Sequence, residues 1–265
     1  MPLRLEHSFA LDPGRARLNN EDAVVVDAEL GAYLLADGMG GYNAGEVASE
    51  LAVQTMLRHL KAWSTRASQS NGSLLVSARL ALTQAAQEAN RAVYQASISQ
   101  PELNGMGTTL VAALHHGPQL LVGHVGDSRA YRLRQDKLLQ LSRDHSLLQE
   151  QIDAGLIAPE DARHAAHRNL VTRAVGVEPD VDLEVHEHSL MAGDLLLLCS
   201  DGLTDMVADA DIATVLRSNE NLQIAAAALI KAANLAGGRD NISVILVRAS
   251  ADHGTAVPAA QSNPI

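Results

Sequence analysis

Apolar residues recur every three or four positions in four long segments of the chain. This spacing is typical of amphipathic helices, and it predicts helices at residues 44–63, 74–98, 209–218 and 222–236. Shorter apolar runs predict strands at residues 23–26, 33–36, 108–114, 119–125, 129–134, 138–141, 181–188, 195–199 and 242–247. The connections between residues 108 and 141 are too short for crossover helices, so we expect antiparallel pairing there.

Four of these apolar runs carry an aspartate at one end, beside a small or polar residue. Asp37, Asp127 and Asp201 follow their runs, whereas Asp240 precedes one. In an antiparallel sheet the start of one strand lies beside the end of its neighbour, so all four carboxylates can reach one rim. A single Asp-Gly pair more often marks an ordinary turn, but four coordinated instances favour a functional site.

Four carboxylates at one rim would repel one another. Two unit charges about 4 Å apart cost roughly 4 kcal/mol at an effective dielectric near 20. Raised pKa values could relieve this repulsion, but bound cations relieve it more completely. Oxygen ligands without Cys or His partners suit Mg²⁺ or Mn²⁺ better than Zn²⁺. Gly38 has no Cβ, so its carbonyl could approach such an ion closely.

Composition narrows the function classes. The 265 residues are 47% hydrophobic, which favours one large domain with a substantial core. A formal charge of −11 and an aromatic content of 2% argue against nucleic-acid binding. We expect a cytoplasmic protein with no membrane partner, because no signal pattern and no apolar run of about 20 residues is present. Cys199 lies inside an apolar run, which favours a buried structural thiol over a nucleophile.

Six short motifs occur in the order found in the metal-dependent, type 2C serine/threonine protein phosphatases. They are Arg17 with Asn20-Glu21-Asp22, Asp37-Gly38-Met39-Gly40-Gly41, Gly107-Thr108-Thr109, Gly126-Asp127-Ser128-Arg129, Ser200-Asp201-Gly202-Leu203 and Arg239-Asp240-Asn241. Each motif is weak alone, but six in order make a specific signal. The chain therefore resembles a bacterial member of this family. The resemblance implies an α+β fold, a four-layer α-β-β-α sandwich of two antiparallel sheets flanked by pairs of antiparallel helices.

The resemblance also implies a metal centre. Asp37 would bridge two Mn²⁺ or Mg²⁺ ions, and Asp201 and Asp240 would complete the protein ligands of the first ion. Gly38 would give its carbonyl oxygen to the second ion.

Further residues take supporting roles by the same resemblance. Glu21 and Asp22 would support the second ion, partly through water. Asp127 would join Asp201 at a weaker third ion. Arg17 would hold the substrate phosphate, since its planar guanidinium matches two phosphate oxygens and keeps its charge.

The implied reaction is hydrolysis of phosphoserine and phosphothreonine in proteins, by a water or hydroxide bridging the two ions. We expect a monomer that acts on phosphorylated proteins and opposes a bacterial serine/threonine kinase. Two alternatives remain open. One is a non-catalytic regulatory or binding module that keeps the phosphatase fold, and the other is a phosphatase of small phosphate esters.

Met39 departs from many eukaryotic relatives, which have a histidine there that is proposed to protonate the leaving group. Methionine cannot donate a proton, so a metal-bound water is the preferred donor and His145 a lesser candidate. Two other histidine pairs, His164 with His167 and His186 with His188, could suggest zinc. Zinc needs more ligands of that kind nearby, so solvated or hydrogen-bonded histidines are the favoured interpretation.

The expected domain organisation is simple. Residues 1–249 form the catalytic domain, and residues 250–265 are expected to form a disordered tail. A mostly helical region at about residues 145–167 continues into extended structure at residues 169–175. Residues 145–173 match the variable flap of the family, and we expect this flap to bias substrate choice.

Overall fold

The computed structural model describes residues 3–41, 44–67, 74–158, 161 and 170–252. The strands in these ranges are β1 (Leu3–Asp12), β2 (Asp22–Asp27), β3 (Ala32–Met39), β4 (Gly107–Thr108), β5 (Leu110–His116), β6 (Gln119–Val125), β7 (Arg129–Arg134), β8 (Lys137–Gln140), β9 (Glu184–Ser189), β10 (Leu195–Cys199) and β11 (Ile242–Ala251). The helices are α1 (Ala44–Ala67), α2 (Leu74–Ser99), α3 (Leu147–Asp153), α4 (Asp201–Thr204), α5 (Asp209–Ser218) and α6 (Leu222–Leu235). The four long helices predicted from the periodicity are confirmed, with ends that shift by no more than about one turn.

Two antiparallel sheets contain these strands. The first sheet has the order β1-β11-β10-β7-β8, and the second has the order β2-β3-β5-β6-β9 with β4 paired to β3. Every pairing between these strands is antiparallel. The antiparallel pairing expected from the short connections is therefore confirmed.

Three apolar clusters separate four layers. Tyr33 and Leu35 of the second sheet pack between the sheets with residues of the first sheet such as Ile245. Helices α1 and α2 cover the outer face of the second sheet through a cluster that includes Leu82. Helices α5 and α6 cover the outer face of the first sheet through a cluster that includes Leu229. The predicted α-β-β-α sandwich is confirmed.

Two elements were not predicted from the sequence. Strand β1 pairs with β11 along its whole length, but it lies at a sheet edge and its pattern of burial is mixed, with Phe9 51% exposed. An edge strand with exposed apolar residues gives only a weak alternation signal. Helix α4 has four residues, which is too short for a helical period to show.

The flap and the tail are described only in part. Helix α3 confirms the helical expectation only at Leu147–Asp153, since residues 154–158 are not helical. The extended segment is reduced to isolated bridges at Val171 and Val175. Strand β11 includes Ser250 and Ala251, which the sequence assigned to the tail. Residues 159–160, 162–169 and 253–265, with the pair His164 and His167, lie outside the described residues. None of the described helices is long and apolar enough to cross a membrane.

Candidate metal centre and active-site cleft

A cleft of about 520 Å³ opens at the rim where the aspartate-bearing strands end. Asp37 lies near the end of β3, Asp127 follows β6, Asp201 follows β10 and Asp240 precedes β11. The residues that line the cleft are Arg17, Glu21, Asp37, Gly38, Met39, Gly40, Thr109, Asp127, Leu170, Val171, Asp201 and Asp240. All of the predicted site residues except Asp22 thus line one cleft.

Asp22 lies beneath the cleft instead of in its lining. It pairs with Asp37 in the antiparallel register of β2 and β3, and its side chain is buried. The Ser200 hydroxyl donates to Oδ2 of Asp22 at 2.8 Å. Oδ1 of Asp22 is buried and has no hydrogen-bond partner among the described residues. An unpaired buried carboxylate oxygen is costly unless a proton or a cation neutralises its charge.

Two adjacent threonines fix the backbone of Asp37. The Asp37 N–H donates to Oγ1 of Thr109 at 3.1 Å, and the Thr109 N–H donates to the Asp37 carbonyl at 2.9 Å. Oγ1 of Thr108 donates to the same carbonyl at 2.8 Å. Oγ1 of Thr109 also lies 2.7 Å from Oγ of Ser128, the residue after Asp127. Sequence reasoning placed these threonines in a motif but missed that they tie two acidic segments together.

Two glycines allow backbones to approach at the base of the cleft. A Cβ on Gly38 would lie 2.0 Å from the carbonyl oxygen of Gly45, at the start of α1. A Cβ on Gly202 would lie 1.9 Å from the carbonyl oxygen of Asn241. Any side chain at either position would separate the segments that carry the carboxylates.

Asn241 connects the N-terminal loop to β11. Its Oδ1 accepts a hydrogen bond from the Glu21 N–H at 2.8 Å, and its Nδ2 donates to the Asn19 carbonyl at 2.9 Å. Beside it, Nη2 of Arg17 donates to Oδ2 of Asp240 at 2.8 Å. These contacts hold the guanidinium and the Glu21 carboxylate at the cleft, although 220 positions separate Glu21 from Asn241.

Burial and mutual repulsion raise the pKa values of four carboxyl groups at the site, those of Asp22, Asp37, Asp127 and Asp201. The pKa of Asp37 is well above its ordinary value because of burial, and then because of the charges of Asp22 and Asp201. The pKa of Asp201 is also raised, first by burial and then by the charge of Asp127. Burial raises the pKa of Asp22 to about 6 and that of Asp127 to about 7. The site therefore favours bound positive charge, from protons or from cations.

The donors in the cleft fit hard divalent cations. Its polar lining consists of carboxylate, carbonyl and hydroxyl oxygens together with the Arg17 guanidinium. Oxygen donors of this kind suit Mg²⁺ and Mn²⁺. Three features are consistent with cation binding. They are the close backbone approach at Gly38, the unpaired Oδ1 of Asp22, and the raised pKa values of Asp37 and Asp201.

His145 does not lie in the cleft lining, which corrects its candidacy as a proton donor. It is buried, its Nε2 lies 3.1 Å from Oε2 of Glu184, and its Nδ1 accepts from the Gly126 N–H at 3.3 Å. Both ring nitrogens are engaged away from the site where phosphate would bind. Met39 does line the cleft, at the position expected from the sequence.

Cys199 is buried in β10, and burial raises the pKa of its thiol. A thiol that stays protonated inside a core is a poor nucleophile. The prediction of a structural cysteine is confirmed.

Known proteins share this fold and more than a third of this sequence. The sequence profile described as protein phosphatase 2C matches residues 15–232. The serine/threonine phosphatase stp of Listeria innocua is 41% identical over 244 residues, which cover 90% of this chain and 94% of the relative. The crystal structure of the Mycobacterium tuberculosis serine/threonine phosphatase PstP/Ppp matches with a TM-score of 0.83 at 36% identity, covering 93% of this chain and 99% of the other. The catalytic domain of PstP in complex with two manganese ions matches with a TM-score of 0.81 at 35% identity, covering 94% of this chain and 100% of the other.

The extent of these matches defines the class of protein. The profile spans most of the chain, and both the sequence and the structural relatives are covered almost completely. The chain belongs to the protein phosphatase 2C family. The resemblance inferred from the six ordered motifs is confirmed, together with the fold that it implied.

Proposed function

We propose that the protein hydrolyses phosphoserine and phosphothreonine in other proteins, using two Mn²⁺ or Mg²⁺ ions bound in the acidic cleft. The observation that carries this proposal is the convergence of Asp37, Asp201 and Asp240 on one cleft that also contains Arg17. The manganese ions in the related PstP structure support the choice of metal. The serine/threonine phosphatase names of the relatives support the choice of substrate.

The residues of the cleft divide among the ions as follows. Asp37 would bind both ions, Asp201 and Asp240 would complete the first, Gly38 and Glu21 would serve the second, and Asp127 would join Asp201 at a weaker third. Asp22 supports the second ion from beneath, since its buried carboxylate faces Asp37 across the β2–β3 pair. When bound, two such ions lower the pKa of a water toward neutrality and polarise a phosphoryl oxygen.

Arg17 binds the phosphate of the substrate. Its side chain is 49% exposed and its partner in the ion pair, Asp240, is itself assigned to the first ion. As a metal ligand, Asp240 would hold Arg17 less strongly, and the guanidinium would be available to another anion. Its planar fork can then donate two parallel hydrogen bonds to phosphate oxygens.

The flap biases which phosphoproteins are accepted. Leu170 and Val171 line the cleft, and Leu170 is 53% exposed. The Leu147 N–H donates to the Leu170 carbonyl at 2.9 Å, and the Thr172 N–H donates to the His145 carbonyl at 2.8 Å. Both ends of the flap are thus fixed beside the cleft, where a bound peptide would contact them. Exchange of residues 145–173 for a relative's flap should change the order of preference among phosphopeptides, and an unchanged order would contradict this role.

A phosphatase of this type requires a kinase that supplies its substrates. We therefore propose that the protein opposes a bacterial serine/threonine kinase, and that it acts as a monomer. The carboxylates, Arg17 and the flap residues of the cleft all come from one chain, which supports the monomer.

Metal-dependent turnover on a panel of substrates tests the proposed function. The panel contains phosphoserine, phosphothreonine and phosphotyrosine peptides, small phosphate metabolites and p-nitrophenyl phosphate. We expect hydrolysis of the first two peptides with Mn²⁺ or Mg²⁺, and its loss in EDTA. Faster turnover of the small metabolites would indicate a phosphatase of small esters. Peptide binding without turnover under any metal would indicate a non-catalytic module.

A further inference from the structure

A second group of potential metal ligands lies outside the acidic cleft, at the edge of the second sheet. His124 and Glu184 face each other directly in the register of β6 and β9. His145 reaches them from the segment before α3. One ligand atom from each of these three side chains lies within 4.8 Å of the others. None of the three residues lines the acidic cleft.

His124 presents an unpaired nitrogen in this group. The side chain is fully buried. Its Nε2 lies 2.7 Å from the Arg143 carbonyl oxygen, to which it donates in one tautomer, and in the other tautomer it accepts from the Arg143 N–H at 3.2 Å. We assign the proton to Nε2, because the contact with the carbonyl is the shorter. Nδ1 then carries a lone pair, and it has no hydrogen-bond partner among the described residues. Metal-binding histidines commonly donate their other ring N–H to a backbone carbonyl in this way.

Glu184 occupies the centre of the group. Its Oε2 lies 3.1 Å from Nε2 of His145, and its Oε1 lies 2.6 Å from Nε2 of His186. His186 therefore orients the carboxylate from its second oxygen, a common arrangement around metal-binding carboxylates. The side chains of Glu184 and His186 are 34% and 42% exposed, so an ion can enter from solvent.

We propose that His124, His145 and Glu184 form a binding site for a zinc-like divalent ion, distinct from the acidic centre. Two imidazole nitrogens and one carboxylate oxygen suit Zn²⁺ or Co²⁺, whereas the oxygen donors of the cleft suit Mn²⁺ and Mg²⁺. Three protein ligands leave a fourth position for water. From the sequence, zinc binding at His186 and His188 was not favoured, because no further ligands were evident nearby. The fold supplies such ligands beside β9, His124 from β6 and His145 from the flap.

Binding at this site is linked to the acidic cleft through His145. The Nδ1 of this ring accepts the Gly126 N–H at 3.3 Å, which requires the ring proton to be on Nε2. Coordination through Nε2 moves that proton to Nδ1, so the Gly126 N–H loses its acceptor. The chemical environment of the Gly126 amide should therefore change when an ion binds. Because Gly126 directly precedes Asp127, the change occurs beside the acidic cleft.

Cobalt and zinc titrations of the full-length, metal-free protein in excess Mg²⁺ test the proposal. We expect one equivalent of Co²⁺ with the visible absorption of a low-coordinate nitrogen site, displaced by one equivalent of Zn²⁺. Glu184→Gln and His124→Asn should each weaken Zn²⁺ binding by at least ~10-fold, the scale found for disturbed metal sites. His124 is buried, so His124→Asn could also impair folding. Glu184 is partly exposed, so Glu184→Gln tests the site without that complication. In the unchanged protein the Gly126 amide resonance should shift with Zn²⁺, and in Glu184→Gln it should not.

Matched variants distinguish this site from other sources of zinc binding. His188→Asn, on the same strand as Glu184, should leave Zn²⁺ affinity unchanged, as should Asp37→Asn in the acidic cleft. The double variant His164→Asn/His167→Asn should also bind normally. The proposal is overturned if the protein binds no Zn²⁺ in excess Mg²⁺, if Glu184→Gln binds it unchanged, or if Asp37→Asn or the double variant abolishes binding.

Discussion

Arg17 and Asp240 form an ion pair at the mouth of the cleft, with Nη2 of the arginine 2.8 Å from Oδ2 of the aspartate. Both side chains are partly exposed, so this pair contributes little to the free energy of folding. The pair instead positions the guanidinium of Arg17 beside the carboxylates of the cleft. A cation would compete with Arg17 for Asp240, and a substrate phosphate would compete with Asp240 for Arg17.

Replacement of Arg17 by Ala should lower kcat/KM by about 10- to 100-fold, since charged hydrogen bonds contribute roughly 1.5–3 kcal/mol. Arg17→Lys should recover part of the loss because it restores the charge but not the planar fork. Steady-state kinetics on a phosphopeptide measure the effect. Arg15→Ala, on the same loop but outside the cleft lining, is the control and should leave kcat/KM unchanged. Equal effects at both positions would show that Arg17 has no specific contact with phosphate.

Gly38→Ala should destabilise the fold by about 1–3 kcal/mol, the usual cost of overpacking. The added methyl group would collide with the carbonyl oxygen of Gly45 and force α1 away from β3. Gly41→Ala is a matched control, since a Cβ there meets nothing within 4 Å. Thermal melts of the two metal-free variants measure the difference, and equal melting temperatures would refute the crowding at Gly38.

Arg129 and Asp144 form a partly buried ion pair in which Nε and Nη2 of the arginine both donate to the carboxylate. Asp144→Ala should lower the free energy of unfolding by about 1–3 kcal/mol, because it leaves the half-buried guanidinium without its charged partner. Glu88→Ala, which removes the exposed partner of Arg91, should change it by less than about 1 kcal/mol. Urea unfolding curves give both values, and a small loss for Asp144→Ala would show that Arg129 finds another acceptor.

Cys199 should resist thiol reagents in the folded protein. Its side chain is fully buried, and burial raises its pKa, so thiolate is scarce and inaccessible. Labelling with an aromatic disulfide should be slow in buffer and rapid in guanidinium chloride. Rapid labelling of the native protein would contradict the packing described for β10.

The sequence predicted those features that local patterns and ordered motifs encode. The helical periods located α1, α2, α5 and α6, and the aspartates at strand ends located the rim that Asp37 and Asp201 share. The pairing of edge strand β1 with β11 was not predicted, because it joins opposite ends of the chain and its side chains are partly exposed.

Long-range contacts explain the other gaps in the prediction. The role of Thr109 depends on its hydrogen bond with Asp37, which lies 72 positions away in the sequence. No local sequence pattern predicts a contact of this kind. His124 and Glu184 meet only because β6 and β9 are neighbours in the sheet. Asp22 was assigned beside Glu21 from its motif, but its side chain is buried against Ser200, 178 positions away in the chain, and does not line the cleft.

Manganese binding measured by calorimetry on the metal-free protein tests whether the acidic cleft is a metal centre. We expect at least two Mn²⁺ ions per chain, and loss of both in Asp37→Asn, because that carboxylate is assigned to the two ions together. Asp180→Asn, a neutralisation of an exposed aspartate, should bind as the unchanged protein does. Undiminished binding of two Mn²⁺ ions by Asp37→Asn would show that Asp37 is not a ligand of this centre.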